Sequence, residues 1–289
     1  TDAGGEQIFL VKGGTLKLES GVLRNKADNK RLVCVNGGEF KMSGGYIVGG
    51  TRDYGGGVYT KGTMTMTGGV IASNKSNKGG GICAEDGTLN LSGGVIAANE
   101  SNLGGGIYAG GVTLNLFGGV VVTGNQIDKP YGCGNGGGIF VTNATLNLSD
   151  EAYVTNNILQ QCNCPENDVN NTHGGGGITI GDGSTMKMSG GYVTGNDAWL
   201  AGGGIYAGFY GKGVGFTMSG GTIASNHVQI GEGGGLRIAG GTTGDIKADN
   251  KIYITNNETD SKDDWGGGGI FIQENGMLNI TNVLMTKNS

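Results

Sequence analysis

GTLNLSGGVIAANESNLGGGIYAGGVTLNLFGG, residues 87–119, states one pattern and begins it again within a few dozen residues. A polar–apolar alternation, Thr88-Leu-Asn-Leu, is followed by a Gly-Gly pair and a short apolar piece, Val95-Ile96-Ala97. Then come an asparagine, Asn99, a connection, and Gly104-Gly105-Gly106-Ile107-Tyr108. Period-two alternation marks a strand with one buried face, here Leu89 and Leu91 inward and Thr88 and Asn90 outward. Three short strands per unit with no helical period describe one coil of a parallel β-helix. The glycines then read as corners, where the chain needs positive φ or room for a neighbouring backbone.

The same alternation starts again at Thr15, Glu39, Thr63, Thr88, Thr113, Thr145, Thr185, Gly215, Asp245 and Met277. The first five starts are 24 or 25 residues apart, and the later spacings lengthen to between 30 and 40 as insertions enter. About ten coils at roughly 4.8 Å each make a rod roughly 50 Å long. The expected fold is therefore all-β, a single parallel β-helix domain over residues 1–289, regular to residue 125 and loop-decorated from 126 to 289. A chain of this length is tolerable as one unit because such a fold grows along one axis.

Composition agrees. Of 289 residues 66 are glycine and two proline, without a Gly-X-Y period, which excludes collagen. The glycines keep fixed register with apolar residues, which argues against disorder. A net charge of −5 with scattered Lys and Arg argues against a nucleic-acid partner, which calls for a basic stripe. No apolar run of about 20 residues suggests membrane insertion within this chain, and no cleavable signal is read.

Asn74, Asn99, Asn125, Asn157, Asn196, Asn226, Asn257 and Asn288 recur after the IxxN or VxxN piece. Stacked coils place these amides above one another, so the expectation is a structural ladder satisfying buried turn groups. Val48-Gly49-Gly50 replaces the expected asparagine and predicts an irregular corner near the N-terminal end.

The alternation of Ile71-Ala72-Ser73-Asn74 with Gly79-Gly80-Gly81-Ile82 resembles the GGAI and FxxN repeats of the polymorphic outer membrane proteins, which are bacterial autotransporter adhesins. It is also similar to glycine-rich β-helix repeats in large surface proteins of gut bacteria. Here Gly stands for the Ala of GGAI, and Ile or Val for the Phe of FxxN. The resemblance covers almost the whole chain. It implies a right-handed parallel β-helix, export, display at a bacterial cell surface and neighbouring domains of a larger protein; it carries no active site.

Function is therefore sought where the repeat is broken. The connection after the asparagine expands at Gln126 to Asn135 and Ile158 to His173, with smaller irregular loops at Asp197 to Ala201, His227 to Glu232 and Glu258 to Trp265. All five leave the same point of the repeat, so stacking brings them to one edge. That edge holds both tryptophans of the chain, Trp199 and Trp265, with Tyr131, His227 and the acids Asp128, Glu166, Asp168, Asp197, Glu232, Glu258, Asp260, Asp263 and Asp264. Rings with carboxylates and amides suit sugars, whose CH faces pack on rings while hydroxyls bond polar groups. The plainer reading is that each Trp only closes its loop. A second column, the residue after the inward Ile of GGGI, is expected to face outward: Tyr59, Cys83, Tyr108, Phe140, Thr179, Tyr206, Arg237 and Phe271. Most of it reads as a stabilising stack, with Tyr206 and Arg237 as candidate ligand contacts.

Three functional expectations follow. The first is an adhesin-type glycan-binding domain using Tyr131, Trp199, Tyr206, His227, Arg237 and Trp265. The second is a glycoside hydrolase or polysaccharide lyase, with Asp197 and Glu232 as the carboxyl pair and Asp263 and Asp264 extending it. The third is a stalk holding another domain away from the cell. Cys133 with Cys162 or Cys164 suggests a disulfide between neighbouring insertions. Adding His173 to those three cysteines makes a poor zinc spacing, so no metal is expected, and no cofactor motif is present: GGGG at 174–177 lacks the Lys-Ser/Thr of a nucleotide loop.

Overall fold

A computed structural model describes residues 7–25, 29–127, 134–161, 174–209, 213–249, 251–261 and 266–289. Among these residues the chain is all-β without a helix, and its strands pair in parallel with the equivalent strand of the next repeat. Ten strands, from Gln7–Val11 to Ile270–Ile272, form one sheet, and from Val58–Thr60 onward each of them follows a run of glycines as in GGGI. Sixteen strands form the second sheet, with one limb from the TLNL segments and one from the IxxN segments. The two limbs are continuous in Thr63–Ala72, Thr88–Ala97, Thr185–Thr194 and Gly215–Ala224, where the Gly-Gly corner bends a single ten-residue strand.

Register explains the core. Leu89 pairs with Met64 on one side and Leu114 on the other, and Ile107 pairs with Ile82 and Ile139. Like stands on like, so each inward side chain meets the shape it was repeated to fit; Leu89, Leu91, Ile96 and Ile107 are fully buried in one continuous cluster along the molecule. The solenoid-like stacking of parallel sheets thus follows directly from the period.

The asparagine ladder is present. Each Nδ2 donates to the Oδ1 of the next asparagine at 2.9–3.0 Å, from Asn74 to Asn99 and onward to Asn288. The other amide proton goes to a carbonyl of the preceding repeat, as in Asn99 to Ile71 at 3.0 Å. The same Oδ1 also accepts the backbone N–H of the preceding asparagine, as from Asn125 to Asn157 at 3.1 Å. Two donors and two lone pairs are thereby all used, which is what lets an amide sit at 0% exposure. At the irregular corner the Gly50 N–H donates to Asn74 Oδ1 at 2.9 Å, so backbone replaces the missing side chain. A Cβ on Gly50 would lie 1.9 Å from the Gly56 carbonyl oxygen, which explains why glycine occupies the corner.

The outward column is corrected by the structure. Tyr108, Phe140, Tyr206 and Arg237 are 7%, 5%, 1% and 5% exposed, and Cys83 and Thr179 are fully buried. Cys83, Tyr108, Phe140, Tyr206 and Ala239 form a second hydrophobic cluster, with Leu103 packed against it from the connection before GGGI. Lys78, from the same connection one repeat earlier, places its ammonium 5.0 Å from the Tyr108 ring. The column points away from the main core, but the returning connections fold over it. Burial pushes the Cys83 thiol up to about 12 and raises the Tyr108 phenol. Burial also raises Tyr59, aided by the hydrogen bond its hydroxyl donates to Glu85 at 2.8 Å.

Candidate functional site at the decorated edge

Immediately after Asn125, Asn157, Asn196, Asn226 and Asn257 the chain makes one further short strand. Gln126–Ile127, Ile158–Leu159, Asp197–Ala198, His227–Val228 and Glu258–Thr259 form a five-stranded parallel sheet along one edge. The five expanded connections therefore do start side by side. The inward residue of each pair is small or aliphatic, with Ile127, Leu159, Ala198 and Val228 fully buried, which turns the polar neighbour outward.

Two outward columns result. Ile158, Asp197, His227 and Glu258 pair in register. One step along, Gln160, Trp199, Gln229 and Asp260 line up, each backbone N–H bonding the preceding repeat: Trp199 to Leu159 at 3.0 Å, Gln229 to Ala198 at 3.0 Å, Asp260 to Val228 at 3.0 Å. Trp199 is half-buried between the two glutamines.

His227 ties the columns together. Its Nδ1 lies 3.0 Å from Asp197 Oδ1 and its Nε2 lies 3.1 Å from Asp260 Oδ2, so one imidazole spans acids from both neighbouring repeats. Gln229 Nε2 donates to the other Asp197 oxygen at 2.8 Å. Asp197 is thus held by two groups in the next repeat, and both His227 and Asp197 remain about one-third exposed. The Asp260 carboxylate is the most open of the set, at 60%.

Glu232 belongs to a different arrangement. Its Oε2 accepts from Arg237 Nε at 2.9 Å, while Arg237 Nη2 donates to Gln273 at 3.2 Å and the guanidinium lies 4.9 Å over the Tyr206 ring. Gly231 precedes it where a Cβ would stand 1.5 Å from the Leu200 carbonyl oxygen, so the loop lies directly on its neighbour. Asp197 and Glu232 are each engaged by their own partners. Tyr206 and Arg237 sit beneath this loop, buried, and hold it from below.

Tyr131, Asp263, Asp264 and Trp265 lie outside the described residues, as do Cys133, Cys162, Cys164 and His173. Cys34 and Cys83 are free and buried. Among the described residues no group of three or more His, Cys, Asp or Glu could hold a metal ion. Sequence reasoning gave no role to Gln160, Gln229 or Gln273, and mentioned Asp260 only as one acid among many; their signal was position, since each stands at a fixed offset from a ladder asparagine or a GGGI segment. No family model, curated protein or solved structure matches this chain.

Proposed function

We propose that the chain is a right-handed parallel β-helix of about ten coils, carried by a larger exported protein at a bacterial cell surface, whose decorated edge binds a glycan. The observation that carries this reading is the Gln160–Trp199–Gln229–Asp260 column beside Asp197 and His227. A half-open indole offers a stacking face for the CH side of a sugar, and amides and carboxylates one repeat away, about 4.8 Å, reach the hydroxyls around it. Backbone pairing sets the column, and side-chain bonds hold Asp197, His227, Gln229 and Asp260 together, so these polar groups are positioned before a ligand arrives.

Incubation with mucin oligosaccharides and plant polysaccharides, followed by mass spectrometry of products and of the protein-bound fraction, tests it. Intact sugars retained by the wild type and released by Trp199→Ala are the expected result. New shorter sugars that vanish in Asp197→Asn or Glu232→Gln would replace binding with glycoside cleavage. If no sugar is retained or cleaved, the edge reading falls and a stalk remains.

A further inference from the structure

A furrow lies over the strand Gly215–Ala224, outside the edge sheet. In the strand Gly215–Ala224 the outward side chains are small: Thr217, Ser219 and Thr222. Its two neighbours carry large ones in register. Thr217 lies between Lys187 and Asp245, and Thr222 lies between Tyr192 and Tyr253. One repeat is therefore a floor and the repeats on either side are walls. The resulting furrow shows as two grooves of about 560 and 470 Å³, one on each limb of the bent strand, and Ser189 lines both.

The width of the furrow is set by the strand spacing. Tyr153 and Tyr192, one repeat apart in the same column, stack with centroids 4.7 Å apart and planes within 8°. Thr222 is the next position in that column and Tyr253 the one after. The two wall positions are thus two strand steps apart, about 9.5 Å, with the middle ring missing. A flat ring entering there meets Tyr192 on one face and Tyr253 on the other. Gly190, Gly191 and Gly221 line the same groove and add no side chains to it.

A pyranose whose hydroxyls are all equatorial fits this slot by its chemistry. It presents CH groups on both faces and its hydroxyls around the rim. The rim groups available are Asp150 and Lys251 at the tyrosine end and Lys187 and Asp245 beyond the corner. Paired opposite charges serve hydroxyls as donors and acceptors and disfavour a polyanion. On the tyrosine limb the small residues Thr222 and Ala224 leave the floor clear for further sugar units in line. We infer that the furrow over Gly215–Ala224 binds a neutral, linear β-linked glucan or xylan, with one ring held between Tyr192 and Tyr253. This site does not depend on the edge reading, because it shares no residue with Trp199, Asp197 or His227.

Calorimetric titration with cellohexaose and xylohexaose tests it. Wild type should bind at least one of them, and Tyr253→Ala should weaken binding about fivefold, the order of one lost stacking contact. Thr222→Tyr supplies the missing ring and should abolish binding while circular dichroism and melting stay native, since tyrosine already occupies this column at 153 and 192. Absence of binding by both sugars at about millimolar concentration overturns the inference. So does binding that Thr222→Tyr leaves at wild-type strength.

Discussion

Asn196, Asn226 and Asn257 face inward; Asp197, His227 and Glu258, the very next residues, face outward. Both sets stack one residue per repeat at the same spacing, yet one is uniform and fully buried and the other is mixed and half-open. The uniform column can close every hydrogen bond because an amide carries both donors and acceptors, so identical copies satisfy one another indefinitely. The mixed column cannot propagate in that way. His227 reaches acids on both sides, and the pattern ends there. Repetition closes every polar group where water is absent, and variation leaves polar groups open where water is present.

Truncations should separate the two columns widely. Tyr206→Ala, which empties a ring 1% exposed from the second cluster, should cost about 3–5 kcal/mol in denaturant unfolding. Asn157→Ala should cost about 3 kcal/mol, since it strands the amide of Asn125, one amide lone pair of Asn196 and the Val122 carbonyl. A smaller loss would mean that the ladder is a consequence of stacking and contributes little to it.

Alkaline pH probes the buried outer column. The Cys83 thiol is raised in the folded state, so the fold keeps a proton that the unfolded chain releases. Its stabilising contribution is whole below about 9 and is lost as pH rises towards about 12. Cys83→Ala should flatten that part of the pH–stability curve, and an unchanged curve would point to Tyr59 and Tyr108 instead. At the edge, His227→Gln should change stability by less than about 1 kcal/mol, because exposed ion pairs contribute little. Trp199→Ala should leave melting within about 0.5 kcal/mol of wild type and act only on glycan retention. A large stability loss there would make Trp199 a loop closure and would sharpen the comparison in favour of the stalk.

The stacked architecture was legible from the TLNL, IxxN and GGGI segments because side-chain period and residue spacing are local properties that the chain repeats. The asparagine ladder was legible for the same reason. The exposure of Tyr206 and Arg237 was not, because direction away from one core says nothing about a connection folding back. Leu103 and Lys78 cover that column from connections whose repeat is readable but whose fold over the neighbouring strand is not a local property.

The sequence by itself determined which residues recur and so which must stack: the inward aliphatics, the corner glycines and the asparagines. Only the tertiary structure decided which residues of different repeats become neighbours at the surface. Gln229 meets Asp197, His227 reaches Asp260, and Thr222 opens a gap between Tyr192 and Tyr253. These pairs are 30 or so residues apart and belong to positions where the repeat is relaxed. Register, set by backbone hydrogen bonds between strands, brings them together.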